Sequence, residues 1–374
     1  MSDSATVIDR VEVFGYDLSY KHGDYVMSSG RVVGLLPSTV VRITTQGGIQ
    51  GYGEACPLGS TYLPGFGGGA RAALRELVPA LLGADAANLA AVNELMDSTL
   101  RGHEYAKSAV DVACWDVLGR ATNQPVAMLL GGVLQSELPL YVAVPLGEPA
   151  VMAAFVERER EGGIHRFQLK LGDAPEKDRE RVAAVIAASG PDDAIIGDAN
   201  GGWRRQDAII AARLLEGFDR LRLEQPCPTL EECLSVRRVS TLPMVLDEVI
   251  TDLPTLLRAV QADAMDHINL KVGRVGGLTR ARLMRDAAIE LGLQLTIEDT
   301  WGGDLVTAAV SHLAAATPPG SLFAVSFMND WTVEHIAGYQ PRSRHGFGPV
   351  PERPGLGVEV DTDMLGDPLF SVRR

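Results

Sequence analysis

The spacing of apolar and polar positions changes character along this chain. "TVIDRVEVFGYDLS" (6–19) alternates with a period of two, as a half-buried strand does. "STVVRITTQGGIQGYGEA" (38–55) alternates on both sides of Gly47-Gly48, which predicts a hairpin with a tight turn. From Ala70 to Leu82, and again from Leu89 to Leu100, apolar residues recur at helical spacing. A longer helix is expected in "EYAKSAVDVACWDVLGRATNQP" (104–125), with Ala109, Val112, Ala113 and Asp116 on one face and Pro125 helping to end it. Strands followed by helices predict an α+β domain.

From Leu138 onward, short apolar strands alternate with amphipathic helices. The strands are "LYVAVPL", "RFQLKLG", "AIIGDAN", "LRLEQP", "PMVLDE", "HINLKV", "QLTIED" and "LFAVSF". Helices such as "EKDRERVAAVIAAS" and "LTRARLMRDAAIELG" run between them. Strands that are near-continuous in apolar residues suit a parallel sheet covered on both faces. Eight such units, each roughly 25–30 residues long, match the repeat of a (β/α) barrel. An open doubly wound sheet is the alternative, but no G-x-G-x-x-G follows the first strand to favour it. The expected fold is therefore α/β: a (β/α) barrel over 131–353 with an N-terminal α+β capping domain over 1–130. A C-terminal segment, 354–374, is expected to return to the cap.

Functional side chains of such a barrel sit where strands end. Those ends carry, in order, Lys170, Asp198, Glu224, Asp247, Lys271 and Glu298. A charge at the end of an apolar strand is costly to bury. Six in succession, acids in the middle and a lysine on either flank, point to chemistry. Asp198, Glu224 and Asp247 are hard oxygen donors suited to octahedral Mg²⁺, and equally to Mn²⁺. Asn200, two residues beyond Asp198, is expected on the same side as a supporting group. Three acidic strands separate the lysines, which places Lys170 and Lys271 on opposite sides of the cavity. A partly desolvated lysine near a divalent cation has its pKa lowered and can act as a base. The metal would hold a substrate carboxylate and stabilise the dianion left when the α-proton departs. Two opposed lysines then suit racemisation or epimerisation, and equally anti elimination of water.

The net charge of −14 argues against nucleic acid or an anionic membrane as partner. No apolar run reaches the roughly 18 residues of a membrane helix. The opening "MSDSATVIDR" lacks the basic and apolar regions of a signal peptide, so a cytoplasmic location is expected. Cys56, Cys114, Cys227 and Cys233 show no C-x-x-C spacing and read as free thiols.

The segments "GDAN", "EQP", "LDE" and "NLK", set in a capped barrel, resemble the enolase superfamily in its muconate-lactonising (mandelate racemase/muconate lactonising enzyme) subgroup. The resemblance implies Asp198, Glu224 and Asp247 as Mg²⁺ ligands, Lys170 and Lys271 as the acid/base pair, and a multimeric assembly. Many relatives carry Lys-x-Lys on the second barrel strand; here Gln168 replaces the first lysine. "CPLGSTYLP", "EQPCPTLEE", "DHINLKVGRVGGLTRARLMRD" and "TIEDTWGGDLVTAA" are most similar to members that dehydrate a hydroxylated proline, and next to epimerases of hydroxyproline betaine. The implied substrate is a small-molecule carboxylate, a cyclic amino acid with a cationic ring nitrogen. Trp301 would offer that cation an aromatic face, and Glu298 or Asp299 a counter-charge. Two Gly-rich loops, Ser19 to Arg31 and Cys56 to Gly69, are expected to close over the barrel mouth, with Tyr62 touching substrate. His22 and His103 lie near them and are set aside as structural.

Overall fold

The computed structural model describes residues 5–374; the first four residues, where the N-terminal reading begins, lie outside the described residues. The first domain is built on β1 (Ile8–Ser19), β2 (Leu35–Thr45) and β3 (Gln50–Ala55). β2 and β3 form the antiparallel hairpin, with Gly48 at φ +81° in its turn. That backbone region favours glycine, which has no Cβ to clash. β12 (Phe370–Arg373) pairs antiparallel with β1, so the sheet runs β12-β1-β2-β3. The helices are α1 (Gly67–Leu81), α2 (Leu89–Thr99) and α3 (Glu104–Thr122).

α3 is buried on nearly every side, not only along the face of Ala109, Val112, Ala113 and Asp116. Its position between the sheet and the second domain explains the difference. On one side the bare backbone of β3 lies directly against it: a Cβ on Gly53 would fall 2.0 Å from the Ala109 carbonyl oxygen. On the other side Asp111 accepts from the Thr279 backbone N–H (3.0 Å), the Thr279 hydroxyl (2.6 Å) and Asn93 Nδ2 (2.7 Å). The helix ends at Asn123, in the left-handed conformation of a C-cap, before Pro125.

The second domain holds eight parallel strands in sequential order: β4 (Val142–Val144), β5 (Arg166–Lys170), β6 (Ala194–Asp198), β7 (Leu221–Glu224), β8 (Met244–Leu246), β9 (His267–Lys271), β10 (Gln294–Glu298) and β11 (Leu322–Val325). A parallel bridge from Leu140 to Val325, with Tyr141 N–H donating to the Val325 carbonyl (3.2 Å), brings the last strand back to the first. The fold is thus a (β/α) barrel capped by an α+β domain.

Two buried carboxylates of the first domain cap helices of the second. Asp111 holds the first turn of α4 (Leu278–Glu290) through Thr279. Glu54, on β3, accepts from Gly303 N–H (2.8 Å) and Val306 N–H (3.2 Å) at the start of α5 (Asp304–Ala315), and from the hydroxyls of Tyr16 and Ser38 (2.7 Å each). A carboxylate at a helix N-terminus satisfies free N–H groups and complements the helix dipole. Asp111→Ala removes the acceptor shared by the two partly buried donors of Thr279 and the buried amide of Asn93. It is expected to lower stability by about 3 kcal/mol, read as a shift of the urea midpoint; an unchanged midpoint would contradict this account of the domain junction.

Candidate active site

The parallel register lines up the chemistry. Lys170 is the register partner of Asp198, Asp198 of Glu224, and Lys271 of Glu298. Lys170 closes the second barrel strand and Lys271 the sixth, four steps apart in a ring of eight. Both side chains line one small cavity of about 20 Å³. Its other walls include Tyr141, Gln168, Glu298, Asp299 and Trp301 from the barrel, with Tyr25, Met27, Leu58 and Tyr62 from the first domain. Both Gly-rich loops therefore reach the chamber.

Each lysine is held by an acid. Lys170 Nζ lies 2.5 Å from Asp198 Oδ2 and 2.9 Å from Gln168 Oε1. Lys271 Nζ lies 2.8 Å from Asp247 Oδ2 and 3.4 Å from Glu298 Oε1. Burial works against both charges, but the neighbouring carboxylates outweigh it. With those carboxylates facing them, both lysines lie above the ordinary lysine range; the lowering expected from the sequence belongs to lysines beside a bound divalent cation. The difference arises because the acids assigned to the metal here face the amines.

Glu224 lies between these two pairs. Gln168 Nε2 donates to both of its oxygens at 3.0 Å, and Asn269 Nδ2 donates to Oε1 at 2.7 Å. Gln168 thus couples Lys170 to Glu224, a contact that a lysine at that position would replace with a positive charge. Arg274 Nη1 donates to both the carbonyl and the carboxylate of Asp247, at 2.7 Å each. Asn200 does not follow the strand alternation assumed for it. β6 ends at Asp198, and Asn200 turns at φ +46°. It supports Asp198 through its backbone N–H (2.7 Å to Oδ1), while its side chain donates to Glu248 (3.1 Å).

Among the described residues no three His, Cys, Asp or Glu side chains already converge as metal ligands. The charge balance nevertheless fits a cation. Asp198, Glu224, Asp247, Glu248, Glu298 and Asp299 are six carboxylates, lined up along the strand ends and just beyond, against the amines of Lys170 and Lys271 and the guanidinium of Arg274. Burial, then repulsion from Asp198 and Asp247, raises Glu224 well above the carboxylate range. Burial and the same two neighbours push Glu248 up to about 7. Oε2 of Glu248 and Oε1 of Glu298 lack a hydrogen-bond donor. Hard donors with excess negative charge are what a divalent oxygen-loving cation requires.

Trp301 is fully buried, in edge contact with Tyr25 (ring centroids 5.1 Å apart), Tyr20 (5.7 Å) and Trp331 (5.7 Å). It belongs to an aromatic wall that spans both domains. Asp299 accepts from the backbone N–H groups of Gly273 (2.8 Å) and Thr300 (2.7 Å), and burial pushes it up to about 7. Tyr62 donates its hydroxyl to Glu248 and places its ring 6.0 Å from Lys271 Nζ. His22 packs edge-on against Tyr20 and Phe155, and His103 precedes α3; neither lines the chamber.

Sequence reasoning missed Tyr25, Tyr141, Glu248, Asn269, Arg274 and Trp331. Asn269 was readable, since it alternates with Lys271 and so shares its face. Glu248 directly follows Asp247. Tyr141, whose hydroxyl donates to Glu298, gave no such signal.

A capped (β/α) barrel with acids and lysines at successive strand ends defines the enolase class of enzymes, and the matches agree. Residues 21–131 match the mandelate racemase / muconate lactonizing enzyme N-terminal domain, and residues 151–364 the enolase C-terminal domain-like family. The chain belongs to the enolase superfamily, in its mandelate racemase/muconate lactonizing enzyme group. It is 45% identical to cis-3-hydroxy-L-proline dehydratase of Roseibium aggregatum, over 97% of this chain and 98% of that one. It is 28% identical to the N-succinyl-L-Arg/Lys racemase of Bacillus cereus, over 88% and 89%. A crystal structure of an enolase superfamily member from Roseovarius nubinhibens, complexed with magnesium, superimposes with a TM-score of 0.92 at 35% identity, covering 98% of this chain and 99% of that one. No helix among the described residues is long and apolar enough to cross a membrane.

Proposed function

We propose that the enzyme dehydrates cis-3-hydroxy-L-proline, with Lys170 and Lys271 as its two proton-transfer groups. The observation that carries this reading is a pair of amines at the ends of opposite barrel strands, both lining one small chamber. The extent of identity to the Roseibium dehydratase supports it. In cis-3-hydroxy-L-proline the hydroxyl shares the carboxylate's face of the ring, so the α-hydrogen lies on the opposite face. One amine takes the α-proton, and the C–H electron pair is first held in the substrate carboxylate; it then becomes the C2–C3 double bond. The C3–O bond breaks on the other face, and the second amine, as ammonium, gives its proton to the departing hydroxide, releasing water. The enamine then tautomerises to a pyrroline-2-carboxylate. Groups positioned for such transfers typically contribute about 10²–10⁴-fold each.

Asp198, Glu224 and Asp247 would hold Mg²⁺ or Mn²⁺, which supplies Lewis-acid stabilisation of the negative charge built up on the substrate carboxylate. Asn200 holds Asp198, and Gln168 and Asn269 orient Glu224. Trp301 and its aromatic neighbours present π-faces to the ring ammonium, with Glu298 and Asp299 as counter-charges. Tyr62 and the two loops of the first domain exclude water. The expected partner is this small molecule, with the enzyme working as a homo-oligomer in the cytoplasm.

The test is incubation of the Mg²⁺-loaded enzyme with cis-3-hydroxy-L-proline and o-aminobenzaldehyde. A coloured pyrroline adduct is expected. Recovery of intact substrate, inverted and deuterated at Cα in D₂O, would instead establish a racemase or epimerase acting on proline-like amino acids or betaines. The same two lysines serve that chemistry, and the relation to the Bacillus racemase favours it as the second reading.

A further inference from the structure

A much larger cavity, about 830 Å³, opens between the two domains beside the reaction chamber. Among the described residues none lines both. Its walls are largely apolar: Leu63, Phe66, Leu253, Val275, Leu283 and Met284. Charged groups reach it as well: the carboxylates of Asp97, Glu104, Glu248 and Asp252, and the guanidiniums of Arg280 and of Arg274, which is 5% exposed. Its Nη1 is committed to Asp247, while Nε and Nη2 are buried without any partner. Nε and Nη2 form the side-on edge of the guanidinium, the edge that takes both oxygens of one carboxylate. Other arginines around this junction are matched; Arg280, for example, pairs with Glu104 (2.6 Å) and Asp97 (2.5 Å). A buried donor pair left unmade is costly, and a cavity of this size and lining is typical of ligand sites.

We propose that this interdomain cavity is a second binding site, for an organic carboxylate with an apolar body, whose two oxygens take the free edge of Arg274. The side chains covering that edge shift to admit it, as rotamers at binding surfaces commonly do. The assignment is independent of the reaction proposed above, because the probe that tests it has no α-hydrogen to lose.

The probe is 4-bromobenzoate, with 4-bromobenzamide as its neutral twin. Calorimetry with the full-length protein is expected to show saturable binding of the benzoate and at least tenfold weaker binding of the benzamide. Arg274→Lys keeps the charge but lacks the two-pronged edge; it is expected to weaken the benzoate at least tenfold. Because that variant could disturb Asp247, crystals of the unaltered protein soaked with 4-bromobenzoate supply a second readout. A bromine anomalous peak among Phe66, Leu253 and Met284 is expected. No binding at millimolar benzoate, equal binding of the benzamide, or a peak only in the lysine-lined chamber would each overturn the assignment.

Discussion

Lys170→Ala and Lys271→Ala should each lower kcat/KM for cis-3-hydroxy-L-proline by about 10³-fold, the scale of a lost proton-transfer group. The two variants should differ in D₂O. The one lacking the base loses exchange at Cα along with dehydration. The one lacking the acid still exchanges, because the α-proton can leave and return without departure of the hydroxyl. Alanine at position 170 also leaves Asp198 without its amine, and stranding a buried charge costs about 3–5 kcal/mol, whereas Asp247 keeps Arg274 when Lys271 is lost. Lys→Arg separates the two effects. Arginine keeps the ion pair but stays protonated and cannot serve as a base, so folding should recover while turnover does not. Substantial turnover in both alanine variants would remove the lysines from the mechanism.

These positions were legible because each breaks a local rule. An apolar strand buried on both faces has no reason to end in lysine or aspartate, and Lys170, Asp198, Glu224, Lys271 and Glu298 stand at such ends. Asp247 lies one residue beyond its strand. The barrel was legible for a similar reason, since period-two and helical patterns alternate at even intervals. Contacts between distant segments were not legible. Nothing local in Tyr141 announces that it meets Glu298, 157 positions on. Nor does the sequence reveal that Asp198 and Asp247 face amines in this structure, because strand register fixes where a side chain starts and not its rotamer. Asn200 was misplaced by extending strand alternation past the strand's end. The turn there, at φ +46°, brings its backbone rather than its side chain to Asp198.

Treatment with EDTA should abolish dehydration, and either Mg²⁺ or Mn²⁺ should restore it. The argument is electrostatic. Six carboxylates gather here around two amines and one guanidinium, and burial, then repulsion from Asp198 and Asp247, raises Glu224 and Glu248 above the usual carboxylate range. A divalent cation offsets the excess negative charge more completely than solvent can reach to do. Because the folded chain alone assembles these donors, the cation binds it in preference to the unfolded chain. At a concentration about 100 times Kd this adds about 2.7 kcal/mol of stability. The thermal midpoint should therefore rise on titration with Mg²⁺ and fall back with EDTA, while far-UV circular dichroism stays native throughout. Glu224→Gln removes one charged donor yet keeps a side chain of the same size for Asn269 to meet. It should weaken the Mg²⁺-dependent shift and cut turnover together, and excess Mg²⁺ should recover part of both. A thermal midpoint indifferent to Mg²⁺, with turnover intact after exhaustive chelation, would mean that these carboxylates serve the lysines alone.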